Sequence, residues 1–214
     1  MLTKLFLNFA LIGAEWVMWV LVALSVLCGI IIVERSYFLF KRGVDIDALR
    51  TGFTAFLEKG QLEKAAKFLL GNDSMEARTV LFAIRGRDRG AHAVDDLVSG
   101  AIATEKIRYE KGLGILGTVG NNAPFIGLFG TVLGVIGAFA NLAEGSEEAA
   151  EAVMGAISEA LVATGVGLLV AIPAVIAYNI FKSRIKKSVA QTDLLARTLL
   201  SFLRENKGDE NGGV

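Results

Sequence analysis

Glu159 is the only charged residue between positions 153 and 181, a stretch that is otherwise apolar or small apart from a few neutral polar side chains. A carboxylate in such a run can do one kind of chemistry, which is to take up and release a proton. Charge at the centre of a bilayer costs about 2.5–3.5 kcal/mol on insertion scales, and less toward the edge. An ionisable side chain there is therefore a functional-site candidate by default. The competing reading is an interfacial glutamate near a helix N-terminus, favoured by the macrodipole. On a helix starting near Val153, the usual rise puts Glu159 about 9 Å from that end. At about 100° per residue, Ala163, Val166, Val170, Pro173 and Ala177 lie within about 40° of it. That face is a dry wall with one carboxylate. Thr164 falls about 140° away on an ideal helix, a separation that a kink at Pro173 would relax. Thr131 and Thr164 are the other polar candidates, and a lone Thr in a membrane helix usually returns its hydroxyl to a preceding carbonyl.

The residues ahead of this stretch suggest what positions it. Gly127, Gly130, Gly134 and Gly137 advance by three, four and three, with Gly120 one heptad before Gly127. They share one helix face, and in lipid such a face lets a neighbouring backbone approach closely. The neighbour is either another helix of the chain or a second copy. Three helices can hardly enclose a polar path, which favours assembly.

The elements follow from charge-free runs. Residues 16–33, 113–140 and 160–181 contain no Asp, Glu, Lys, Arg or His, in a chain that is 53% hydrophobic with mean hydropathy +0.54. About 20 residues cross a hydrocarbon core of about 30 Å, and lipid leaves only helices to do so here. The fold class is all-α membrane protein, with three transmembrane helices at 16–33, 113–140 and 157–181. Arg35, Lys41 and Arg42 follow the first, Lys106, Arg108 and Lys111 precede the second, and Lys182, Arg184, Lys186 and Lys187 follow the third. The 141–156 loop carries Glu144, Glu147, Glu148 and Glu151 and no basic residue. The positive-inside rule then places the N-terminus and this loop outside, and residues 34–112 and the C-terminus inside. Residues 1–15 read as an outer interfacial amphipathic helix and a retained anchor rather than a cleaved signal.

Between the first two spans, Leu49, Phe53, Phe56, Leu57, Leu62, Ala65 and Leu69 recur at helical spacing, with breaks at Gly60, 71–73 and 86–90. This reads as a run of cytoplasmic helices rather than a second globular fold. From Ala93 the pattern continues into the second span without a breaker, as a stalk of about 70 Å. Residues 182–214 read as a C-terminal helix and tail, with 204–214 disordered. The basic clusters read as topology anchors rather than a nucleic-acid patch. His92, the only histidine, reads as solvated, and Cys28 as a packing residue. No metal-ligand spacing, phosphate loop or nucleophile motif is present. Neither an enzyme nor a cofactor is expected.

GNNAPFIGLFGTVLGVIGAF (residues 120–139) and ISEALVATGVGLLVAIPAVIAYN (157–179) resemble the two signature segments of the ExbB/TolQ/MotA proton-channel family, closest to its ExbB and TolQ branches. Asn121 and Asn122 stand where smaller residues are usual. The resemblance implies a homo-oligomer, a pentamer, in the bacterial inner membrane around helices of a small single-span partner of ExbD or TolR type that carries a membrane Asp. It further implies an energy transducer of TonB or TolA type, driven by proton motive force. Glu159, Thr131 and Thr164 correspond to the polar ring of the proton pathway. Gly120, Gly127, Gly130, Gly134, Gly137 and Pro173 are expected to serve helix packing. The alternative to a conducting subunit is a non-conducting membrane scaffold.

Overall fold

A computed structural model describes residues 15–142 and 149–211. Every regular element among the described residues is helical: α1 (Glu15–Lys41), α2 (Ile46–Glu58), α3 (Leu62–Leu70), α4 (Met75–Arg85), a 3-10 turn (Arg87–Arg89), α5 (Ala91–Glu110), α6 (Leu113–Leu142) and α7 (Ala149–Asn211). Helices α1, α6 and α7 each contain a stretch long and apolar enough to cross a membrane. The chain divides into two compact units. One takes the described residues of Met1–Glu34 and Gly112–Ile180, the other those of Arg35–Lys111 and Phe181–Val214.

The first unit packs its three apolar helices through small residues. The outward faces keep large side chains exposed, among them Trp19, Val26, Phe125, Leu161 and Leu169, as hydrocarbon-facing residues are. Pro124 and Pro173 lie inside α6 and α7 without ending either helix. Cys28 is buried against the unit, in line with a packing role.

The second unit corrects the expectation of helices without a fold of their own. Its core gathers Phe53, Leu69, Val80, Ile84, Val94, Val98, Leu195 and Leu199 from α2, α3, α4, α5 and α7. Local signals fix the helix ends. The Asp45 carboxylate caps α2 by accepting from the Asp47 and Ala48 amides, and the Ser74 hydroxyl caps α4 by accepting from Ala77. Gly60 and Gly90 take φ of +65° and +90°, so the breaks fall where glycine permits them.

Three boundaries differ from expectation. The stalk does not continue into the second span: α5 stops at Glu110, Lys111 is extended and Gly112 has φ +79°. A left-handed residue cannot continue a right-handed helix, and glycine adopts that conformation without a Cβ penalty. Nor is α5 a free stalk, because Val94 and Val98 are buried in the second unit's core. Helix α7 begins at Ala149, earlier than 157, and runs unbroken to Asn211, so residues 204–211 are helical where disorder was expected. Leu199 and Leu200 are buried one turn ahead of that segment, which anchors the helix there. The expected interfacial helix at 1–15 lies outside the described residues except for Glu15, which starts α1.

Candidate functional site

The crossing of α6 and α7 builds the site. A Cβ placed on Gly127 would lie 2.7 Å from the Ala163 carbonyl oxygen and 3.0 Å from the Thr164 Cα. One on Gly167 would lie 2.7 Å from the Ala123 carbonyl oxygen. These are backbone atoms that cannot swing aside, so the two helices touch main chain to main chain. Gly134 faces Ala160 and Gly120 faces Val175, so the helices run antiparallel in one register. Gly130 meets Ala163 and also Val17 of α1, which seats the first helix on the same face. Gly137 has open space where its Cβ would be. The glycine face therefore packs within the chain at Gly120, Gly127, Gly130 and Gly134. Gly167 had escaped the sequence reading, although Ala160, Ala163 and Gly167 form a matching small-residue spacing on α7.

This register sets the level of the polar residues. Gly134 faces Ala160 and Gly127 faces Thr164, so Thr131, between them on α6, is level with the 160–164 turn. Glu159 and Thr164 are five residues apart, about 7.5 Å along the axis. The three thus fall within about a turn and a half of helix rather than on one level. They do not share a direction. The Thr131 hydroxyl donates to the Leu128 carbonyl at 2.6 Å, within its own helix. The Thr164 Oγ1 is buried without a hydrogen-bond partner. Glu159 is exposed. The face around Glu159 is also divided: Ala163, Val170 and Ala177 are buried, whereas Pro173 is exposed. The carboxylate sits at the edge of the packed stripe, on a flank that the chain's own helices leave uncovered.

An orphan buried hydroxyl is costly, because folding strips its water and returns no bond. An exposed carboxylate on an apolar helix lacks a partner in a different sense: lipid tails offer it none. Among the described residues, two of these three polar groups have no partner.

The second unit holds a separate polar network that sequence reading did not find. Arg35 and Arg42, read as solvated anchors, are drawn inward. Arg35 is 4% exposed and donates to the Arg108 carbonyl at 3.3 Å. The two guanidinium groups stack on the Phe38 ring at 4.6 and 4.1 Å. Arg42 and Arg78 both bind Asp73 at 3.0 Å, and Arg78 reaches Glu105 at 2.9 Å. Burial pushes the Asp73 carboxyl up, but the hydrogen bond from Arg78 and the charge of Arg42 outweigh it and hold the group below the usual carboxylate range. Tyr109 accepts the Met75 amide proton at 3.1 Å, and the buried Glu76 accepts from Ser188 of α7 at 2.6 Å. Burial, reinforced by the Glu76 charge, pushes the Tyr109 phenol up to about 12. Apart from Arg78–Asp73 and the stacking on Phe38, these pairs lie 27 to 112 residues apart in sequence. No local pattern could have announced them. His92 is exposed.

Residues 71–193 match the model of the MotA/TolQ/ExbB proton channel family, a span that contains Thr131, Glu159 and Thr164. The chain belongs to this family. Among its relatives, the biopolymer transport protein ExbB of Xanthomonas campestris pv. campestris (strain B100) is 39% identical over 109 residues, covering 51% of this chain and 43% of that protein. The corresponding ExbB of Neisseria gonorrhoeae is 46% identical over 92 residues, 43% of this chain and 42% of its own. The Tol-Pal system protein TolQ of Pseudomonas aeruginosa is 35% identical over 187 residues, 82% of this chain and 80% of TolQ. The chain thus spans less than half the length of the ExbB relatives it matches and four-fifths of that TolQ. Identity is higher to ExbB over the shorter stretch, whereas TolQ matches across both compact units.

Proposed function

We propose that this chain is the proton-channel, stator-like subunit of an inner-membrane motor complex, coupling proton motive force to mechanical work on an envelope partner in the manner of ExbB-ExbD-TonB or TolQ-TolR-TolA systems. The observation that carries this reading is Glu159, a lone carboxylate in an apolar helix, exposed and within about a turn and a half of two threonines. A group so placed needs a partner, and the described residues of this chain supply none. The reading supplies it as a homo-oligomer, a pentamer, around a small single-span protein of ExbD or TolR type with a membrane Asp. A transducer of TonB or TolA type takes up the motion. The N-terminus lies outside and the C-terminus inside.

The energetics are adequate. Each proton crossing 100 mV releases about 2.3 kcal/mol. Protonation switches Glu159 between paired and unpaired states at the helix interface, and the ring steps around its partner. Thr164, whose buried hydroxyl lacks an acceptor, is included in the pathway because it corresponds to the family's polar ring.

Purification of the complex from native membranes tests the assembly. A small single-span protein bearing one Asp within its span is expected to co-purify. A complex containing no second membrane protein contradicts the reading and leaves a homomeric scaffold.

A further inference from the structure

The outward face of α6 changes character along its length. Phe125, Leu128, Phe129, Val132 and Phe139 are exposed, as residues against lipid tails are. Ahead of them Thr118, Asn121 and Asn122 are also exposed. Thr118, Asn121, Asn122 and Phe125 are spaced as neighbours on one helix surface. Asn122 donates one amide proton to the Thr118 carbonyl at 2.7 Å, leaving its other proton and its carbonyl oxygen unused. Among the described residues, neither the Asn121 side chain nor the Thr118 hydroxyl has a partner. The outward faces of the other spans are dominated by large apolar residues, such as Trp19, Val26, Ile30 and Val33 of α1 and Leu168, Leu169, Ile172 and Ile176 of α7. Among the described residues, exposed amides without a full set of partners gather at one end of the spans: Asn121 and Asn122 on α6, and Asn179 on α7 near the level where α6 begins.

Depth makes this significant. Asn121 lies eight residues into α6, about 12 Å from its start. The 30-residue helix is about 45 Å long and overshoots a core of about 30 Å by about 15 Å. With the excess shared between the ends, Asn121 sits about 4–5 Å inside the hydrocarbon boundary. Lipid tails cannot satisfy an amide there. A packed neighbouring helix fits poorly too. Asn and Thr do bond across helices in lipid, but the three side chains fan over about 100° of arc at the usual turn, wider than one contact seam, so a single neighbouring helix reaches only part of the set. Water satisfies all of these groups at once.

We propose that Thr118, Asn121 and Asn122 line a water-filled vestibule entering the span from the N-terminal end of α6, and that it feeds the proton path. The vestibule ends at Phe125, where the outward face turns apolar, so Asn121 is about 15 Å along the axis from Thr131. Its ligands are water and the hydrated proton. The conduction half of this inference rests on the function proposed above.

Single cysteines at 118, 121 and 122, with Phe125→Cys and Val132→Cys as lipid-facing comparators, test it in a Cys28→Ser background. The complex is reconstituted in vesicles and exposed to a charged, membrane-impermeant maleimide from the side where α6 begins. Positions 118, 121 and 122 are expected to react at least tenfold faster than 125 and 132, while all five react alike in SDS. Rates at 121 and 122 as slow as at 132 overturn the vestibule. The double variant Asn121→Leu, Asn122→Leu is expected to lower proton flux at least tenfold with unchanged recovery of the complex, and unchanged flux overturns its role in conduction. Labelling needs no proton flow. Slow labelling alongside normal Glu159-dependent flux rejects the vestibule alone, whereas fast labelling without any Glu159-dependent flux rejects the function and with it the conduction half.

Discussion

The two units are held together by opposite means. In the first, the helices meet where side chains are missing: Gly127 and Gly167 bring α6 and α7 to backbone contact. In the second, large side chains fill a core around Phe53, and a network of four arginines ties helix ends to carboxylates and a carbonyl. The difference follows from solvent. Lipid gives apolar surface no reason to hide, so helices there associate through close contact and polar satisfaction. Water supplies a hydrophobic drive, which the second unit uses as a soluble domain does. Glu159 and the Thr164 hydroxyl, without a partner among the described residues, therefore stand out in the first unit, whereas the buried charges of the second, Arg35, Glu76 and Glu105, are matched within it.

Substitutions can break this contrast. The largest effect is expected for Phe53→Ala, a fully buried ring whose loss costs about 3–5 kcal/mol in transfer and cavity terms. Hydrogen exchange should show α2–α5 losing protection while the α6–α7 crossing keeps it. Gly127→Val adds bulk against the Ala163 carbonyl and Thr164 Cα and should cost about 1–3 kcal/mol, possible only through helix separation. Its exchange pattern should be the inverse of that for Phe53→Ala.

Tyr109→Phe is smaller. It leaves the Met75 amide without its acceptor, at about 1–3 kcal/mol near neutral pH. It also changes the alkaline limb. The folded phenol, held at about 12, binds a proton more tightly than an unfolded tyrosine at about 10. Stability that is fully present below about pH 10 is then lost as pH rises toward about 12. The Phe variant should lack that loss when unfolding is followed by denaturant titration across the range. Gly137→Ala, with open space around the added methyl, should stay within about 0.5 kcal/mol of the parent in a thermal melt.

Much of this was legible in the sequence, for reasons that differ by residue. The long apolar helices follow from charge-free runs, the helix breaks of the second unit from Gly60 and Gly90, and the close-packed face from glycine spacing. The direction of each candidate was less legible. Thr131 returns its hydroxyl to its own helix, as a lone threonine usually does, whereas the Thr164 hydroxyl is buried without a partner on the residue whose Cα Gly127 approaches. A sequence shows that Arg35 and Arg42 follow a span. It does not show that Asp73, 31 residues beyond Arg42, folds back to meet it. Gly112 looks like its neighbour Gly114 until the backbone gives it φ +79°.

The central claim is that Glu159 carries the proton, and Glu159→Gln in the reconstituted complex tests it most directly. Glutamine keeps the shape and hydrogen-bonding capacity of a protonated glutamate but cannot exchange charge. Under an imposed proton gradient, flux is expected to fall at least a hundredfold, equivalent to about 2.7 kcal/mol, while the complex is recovered in the same yield and size. Flux equal to that of the parent protein would contradict the account.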